Sequence, residues 1–432
     1  MDTLERILAD FAAHGAATAT AAADALRARG LPVARDERWR HANLRALQRV
    51  PGFAPAAPVT AATGTTAPDT AATDTRLAAL LPEPLPGFER IVLHNGQVAA
   101  GATAVRGGTA GLPAGVQALA AADAASGEDP APPAEATFAL LNRMFAPQAL
   151  RLAPADGACL EIVSVATASA SGAAYPRLQL HVAPGARVRL VERHVGGCGP
   201  QSLVCPSVAV QLEAGATLEH YRLQQCSEDV LFLDTLTGTA AAGARWNVRT
   251  ADCGAATSRS TALLRLAGAE AELDWQSLAI AHSGQHSDLL LRVEHAARAT
   301  RTTQQYRAIC TEEGHAACSA EMRVLAQAGG ARIAQSLRGL LEGVRAEIDL
   351  APRLEIHTDE VQAAHGATTG RLDDTLLFYL LSRGLEPETA RALLRWAFLG
   401  DVLRHWDIAP LRRAAEHAAA GQLGTRVPEG PA

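Results

Sequence analysis

The spacing of hydrophobic positions changes twice along the chain. Near the start, Leu4, Ile7, Leu8 and Phe11 fall at i, i+3, i+4 and i+7, the apolar stripe of an amphipathic helix. An alanine-rich stretch continues to Leu26, and Gly30 then Pro32 stop it. From about Ala158, short segments such as LEIVSVA and RLQLHVA alternate apolar with polar residues, the period of strands with one face in a core. From about Leu372 the spacing turns helical again. Asp373 is placed to cap a helix through Leu376, Leu377 and Leu380 that Gly384 ends. Pro387 opens a second helix with the stripe Ala390, Leu393, Leu394, Ala397 and Phe398, and a third runs through Leu411 to Ala420.

The strand region repeats itself. A small-residue turn followed by a strand recurs as PGARVRLVE at Gly185, AGATLEHYRL at Gly215, AGARWNVR at Gly243, AGAEAELDW at Gly268 and GGARIAQSL at Gly330. HAARATRTTQQY near Ala297 is a copy without the glycine. The unit is about 25–31 residues long, a period at which each repeat buries its apolar face only against its neighbours. Strand–turn–strand units of this length predict a mainly β chain with a right-handed parallel β-helix core over 137–371. An N-terminal helical region (1–53) and a C-terminal one (372–432) flank it. A β-sandwich is the competing architecture, but its turns recur about every 8–12 residues. Residues 54–136 read as linker, rich in Ala, Thr and Pro over 54–75 and loose again over 121–136. Between these lies a strand patch, RIVLHNGQV, with a turn at Asn95-Gly96. The helical tail is expected to cover the open end of the stack.

Composition narrows the function. Hydrophobic residues make up 48% of the 432, a globular content. A net charge of −6 and 4% aromatics argue against a nucleic-acid surface. All 39 basic residues are arginine. Without lysine there is no P-loop lysine and no Schiff base, so ATP hydrolysis would have to come from a partner. No apolar run reaches spanning length, and Asp2, Glu5 and Asp10 open the chain with no apolar segment after them; this reads against a transmembrane helix and a secretory signal. The seven cysteines (Cys159, Cys198, Cys205, Cys226, Cys253, Cys310 and Cys318) never form C-x-x-C, which fits free thiols in a reducing cytoplasm.

Three polar stretches are candidate sites. HSGQH sets His282 and His286 four apart, but Ser283-Gly284 reads as a turn. CTEEGHAAC brings Cys310, Glu312, Glu313, His315 and Cys318 close in sequence, either as a mixed metal site or as an ordinary turn with two thiols. HTDEVQAAHGATTG contains His357, Asp359, Glu360 and His365, the last just before Gly366 and Gly370, which allow close approach of another backbone. No nucleophile elbow, Ser/His/Asp arrangement or G-x-G-x-x-G junction is visible.

The run PRLEIHTDEVQAAHGATTGRLDDTLLFYLLSRGLEPETARALL, Pro352 to Leu394, resembles the C-terminal signature of the SufB/SufD family of iron–sulfur cluster assembly proteins. RDERWRHANL, Arg35 to Leu44, resembles the R-x-E-x-W-[RK]-[YH]-x-N-L element of the SufD branch, and ALLN at Ala139 to Asn142 also matches. The resemblance implies a non-catalytic β-helix scaffold that pairs with a SufB-like paralogue and docks a SufC-like ABC ATPase, so that a cluster forms at the SufB–SufD interface. It implies no tightly bound cofactor, only iron or a cluster held transiently with the partner, and a cytoplasmic protein without nucleic-acid or membrane partners. His365 matches the interface histidine of the family's C-S-H-G. Here the motif reads Ala363-Ala364-His365-Gly366, so an imidazole is present without the thiol, and the softer sulfur ligands would come from the partner. Tyr379, Arg383, Gly384, Leu385, Arg391 and Leu394 fall in the segment that carries ATPase docking. The other readings are a β-helix enzyme acting on polysaccharide, which the missing lysine and export signal oppose, and a homodimeric scaffold working without SufB.

Overall fold

Parallel strands stack through the middle of the chain in two facing sheets. The computed structural model describes residues 2–56, 77–99, 103, 111–121, 133, 135–167, 172–197 and 199–427. The first sheet starts with β1 (Glu89–His94) and the short antiparallel β2 (Gln97–Val98). It continues through β5 (Cys159–Thr167), β8 (Arg187–Gly197), β11 (Thr217–Cys226), β13 (Arg245–Asp252), β15 (Glu272–Ala281), β17 (Arg301–Thr311), β19 (Ala331–Glu342) and β21 (Val361–Gly370). The second holds β3 (Val116–Ala120), antiparallel to β4 (Gln148–Leu152), then β7 (Arg177–Val182), β10 (Ser207–Leu212), β12 (Leu231–Ala240), β14 (Thr257–Leu266), β16 (His286–His295), β18 (His315–Val324) and β20 (Glu347–Ile356). The short β6 (Ala173–Ala174) and β9 (Leu203–Val204) pair beside β12. Each turn adds one strand to each sheet, making a parallel β-solenoid of about seven turns.

The repeat in the sequence is the repeat of this stack. In-register pairing aligns Val188, Leu218, Trp246, Leu273, Thr302 and Ile333 in one interior column. All six are buried, so each unit's apolar row is covered by its neighbours' rows. The strand patch at 89–98 belongs to the same stack, since β1 pairs in parallel with β5. Much of the 54–75 and 121–136 stretches lies outside the described residues, as does Cys198. The described cysteines are free thiols, five of them buried.

One edge of the solenoid is a column of left-handed turns. Positive φ occurs at Gly185 (71°), Gly215 (69°), Gly243 (64°), Glu270 (61°), Ala299 (57°) and Gly330 (79°). Each of these donates its N–H to a carbonyl of the following turn, on Ala214, Ala242, Ala269, Arg298, Gly329 and Glu360 in order, over 2.6–3.0 Å. Gly268 is a turn glycine for another reason. A Cβ there would stand 1.9 Å from the Ala242 nitrogen, so close approach requires the glycine while Glu270 takes the left-handed position. A non-glycine residue in that conformation costs about 1–2 kcal/mol, which the aligned turn bonds help offset at Glu270 and Ala299.

Helices cover the two outer faces. α1 (Thr3–His14), α2 (Thr20–Arg29), α3 (Arg45–Arg49) and α4 (Thr137–Phe145) share a core with Tyr175, Leu203, Cys205, Leu231 and Leu233 of the second sheet's side. Asn142 of α4 donates to the carbonyls of Pro176 (2.9 Å) and Cys205 (2.7 Å), stapling two successive coils. α5 (Asp374–Ser382), α6 (Pro387–Leu403) and α7 (Ala409–Gln422) follow the last coil. Leu399, Val402, Trp406, Leu411 and Ala415 pack on Val191, Leu223, Leu278, Ile309 and Leu340 of the first sheet. The tail therefore lies along the side of the solenoid instead of over its open end. Its apolar stripe matches the long outward face of a sheet, which needs more cover than one coil's mouth.

The RDERWRHANL segment straps the N-terminal layer across successive coils. Asn43 donates to Thr257 Oγ1 on β14 (3.2 Å). Trp39 is buried under the Arg259 guanidinium, 4.3 Å from the ring centroid, and Arg259 in turn pairs with Asp288 on β16. Arg38 bonds Glu321 on β18 (3.3 Å), and Glu37 pairs with Arg353 on β20.

Candidate partner interface at the open end

The last coil has the backbone of its neighbours but not their side chains. On β19 the inward row is Ile333, Gln335 and Leu337, all buried. In register beside them on β21 stand Ala363, His365 and Ala367, and every β21 residue after Val361 is exposed. Small and polar residues cannot close an apolar core, so the mouth of the solenoid stays open. Facing it, β20 brings half-buried Ile348, Leu350 and Leu354 to the core and leaves Ile356 exposed.

His365 extends a polar column. In the register it follows Trp275, Gln304 and Gln335, and Gln335 Nε2 donates to Gln304 Oε1 at 2.9 Å. The His365 imidazole has no hydrogen bond or ion pair among the described residues, so both ring nitrogens are available to an incoming group. Positions 363 and 365 share one face because strand side chains alternate. Ala363 therefore leaves the imidazole without a neighbouring thiol on its own face.

The two edges of the last coil differ. β20 carries Pro352, Glu347, Asp349, Arg353 and Glu355, and proline and charge both discourage strand addition. β21, VQAAHGATTG, has ten residues and no charge or proline. At Gly366 and Gly370 an added Cβ would meet nothing within 4 Å and φ is not left-handed. The isolated chain thus has no packing need for either glycine. His357 bonds Glu355 (2.7 Å) and Glu360 bonds Arg298 (2.9 Å), so both are occupied at the surface, and Asp359 lies in the same turn.

Beside the mouth, α5 is an apolar helix with no buried residue. The Asp373 carboxylate caps it, accepting from Thr375 N (2.8 Å) and Leu376 N (3.1 Å). Leu376, Tyr379 and Phe378 are 51%, 53% and 71% exposed. Arg383 lies over the Tyr379 ring at 5.2 Å. Gly384 (φ 87°) turns the chain, Leu385 and Leu394 are half-buried, and Arg391 is exposed. The six residues read as an ATPase dock thus lie on α5, the turn after it and the first half of α6.

The other candidate stretches separate. Cys310 and Cys318 face the interior, where burial pushes the Cys310 thiol up to about 12 and the Cys318 thiol well above its usual value. Such thiols are poor ligands. Glu312 and Glu313 are on the turn, bonded to Ser283 and Arg345. His282 faces Glu228 (3.5 Å), while His286 opens β16 and faces His315 (3.2 Å). Sequence reasoning did not gather His41, His315 and Asp349, which come together from three distant segments.

The molecule is an open-mouthed parallel β-solenoid with an uncharged free edge. The chain belongs to the SufBD family: the description "SUF system FeS cluster assembly, SufBD core domain" matches residues 164–398. It is similar to the iron–sulfur cluster assembly protein SufD of Escherichia coli, 26% identical over 260 residues, 60% of each chain. A SufBD family iron–sulfur cluster assembly protein of Mycobacterium leprae is 29% identical over 257 residues, 56% of this chain and 64% of the relative. One from Synechocystis is 30% identical over 207 residues, 47% of this chain and 45% of the relative. The chain spans about 60% of the length of the first of these relatives. Among the described residues no helix is long and apolar enough to cross a membrane.

Proposed function

We propose that this iron–sulfur cluster assembly protein is the SufD-type scaffold of a SufBCD-type complex in the cytoplasm. The observation that carries the reading is β21, a ten-residue uncharged edge beside an open mouth. A SufB-like β-helix would continue the sheet across this edge through main-chain hydrogen bonds. The cluster is cargo and forms at that junction. His365 offers one imidazole to iron, and thiolates come from the partner. The chain itself catalyses no ATP hydrolysis. A SufC-like ATPase supplies it, docked on Leu376, Phe378 and Tyr379 of α5 with Arg383, Gly384, Leu385, Arg391 and Leu394 around them.

Affinity capture of the tagged chain from its native extract tests the assignment. It should recover a paralogous β-helix protein and an ABC-type ATPase, and recovery of neither would sink it. If only a second copy of this chain is recovered, the homodimeric scaffold replaces it. In the reconstituted complex, His365→Ala should fold normally and yield less cluster. An unchanged yield removes His365 from the site.

A further inference from the structure

The N-terminal strap meets β18 and β20 at a cluster separate from His365 on β21. His41 Nδ1 lies 3.0 Å and His315 Nε2 lies 2.9 Å from Asp349 Oδ2, and the three ligand atoms are all within 4.8 Å of one another. We propose that His41, His315 and Asp349 bind one divalent first-row transition ion, such as Zn(II) or Fe(II), which pins the N-terminal strap to β18 and β20.

The donor set is two imidazoles and one carboxylate, which suits zinc with an open fourth position or ferrous iron. Ligand atoms of a tetrahedral zinc site, at bonds of about 2.0–2.1 Å, stand about 3.3 Å apart. The hydrogen-bonded contacts here need open by only a few tenths of an ångström. His315 and Asp349 come from adjacent paired strands and cannot drift apart, because His315 and Glu347 are register partners. His41 is held three residues beyond Arg38, whose bond to Glu321 anchors the strap on β18.

A second observation points to a ligand. His315 Nδ1 lies 3.2 Å from His286 Nδ1, and His286 is its register partner on β16. One of these nitrogens must carry the proton. With the proton on His315 Nδ1, Nε2 presents a lone pair toward Asp349, and His286 fixes the ring as the second partner of a metal-bound histidine does. With the proton on Nε2, the same atoms form the relay His286 to His315 to Asp349. Nearby cations do not compete for Asp349: Arg38 bonds Glu135 and Glu321, and Arg353 pairs with Glu37.

Calorimetric titration of the metal-free full-length chain with Zn(II), and with Fe(II) under argon, tests the proposal. One equivalent should bind in the micromolar range or tighter. His41→Gln and Asp349→Asn should each weaken it by at least about tenfold with an unchanged circular dichroism spectrum. His365→Ala should bind the ion as the unaltered chain does, which separates this site from the cluster junction. Bound ion should also slow proteolysis within residues 33–44. Stoichiometric binding that survives in the His41→Gln/Asp349→Asn double variant, binding lost in His365→Ala, or no binding at micromolar ion would overturn the proposal.

Discussion

The coil built from β18 and β19 and the coil built from β20 and β21 lie one hydrogen-bonded step apart, and they use the same backbone for different ends. In the first, Cys318, Met322, Ile333 and Leu337 are buried and the coil is part of the core. In the second, Ala363, His365 and Ala367 occupy the corresponding row and remain exposed. The contrast teaches that the folding of this solenoid is decided by its middle. The last coil inherits its shape from the pairing with β19, so its side chains are free to serve a partner.

The largest break of that comparison is in the middle. Trp275→Ala empties a fully buried indole site on β15 and should cost about 3–5 kcal/mol, read as a lower denaturant midpoint. Next comes His295, buried between Thr300 Oγ1 (2.8 Å) and Thr302 Oγ1 (3.1 Å). Burial holds its imidazole down to about 4, against 6.5 when exposed. Between those values the unfolded chain binds the extra proton, so stability is full above pH 6.5 and falls as the pH drops toward 4. The loss is about 3 kcal/mol, and His295→Gln should flatten that part of the stability–pH curve. At the end of the stack the effects shrink. Asp373→Ala removes the α5 cap and should cost about 1 kcal/mol, seen as a small fall in melting temperature. Gly366→Val and Phe378→Ser should change stability by less than about 0.5 kcal/mol. The first should nevertheless lose the β-helix partner and the second the ATPase in pull-downs. A large stability loss in either would mean that the last coil and α5 belong to the fold after all.

Local features of this architecture were legible in the sequence, and distant ones were not. The small-residue turns at Gly185, Gly215, Gly243 and Gly330 could be read because a glycine marks each left-handed position. At Gly268 the marker misled by two residues, since the glycine serves close approach and Glu270 takes the φ. The Asp373 cap was readable from one turn of chain. The placement of the tail was not: an apolar stripe says that a face is covered, not which surface covers it. The strap contacts, Asn43 to Thr257 and Glu37 to Arg353, join segments hundreds of residues apart, and His41 meets His315 and Asp349 in the same way. For the open mouth, Gly366 and the uncharged run around it were visible, but their exposure depends on β21 having no strand on its far side.

The column of turns that links Gly185 to Glu360 also makes the molecule a ruler. Each turn bond joins one coil to the next, and adjacent strands are about 4.8 Å apart. A change in length that preserves these bonds must insert or delete a whole unit, so the distance between the N-terminal layer and the mouth changes in steps of one strand spacing. Any partner that gripped both the mouth and the helices beside it would thereby be held to a discrete set of separations.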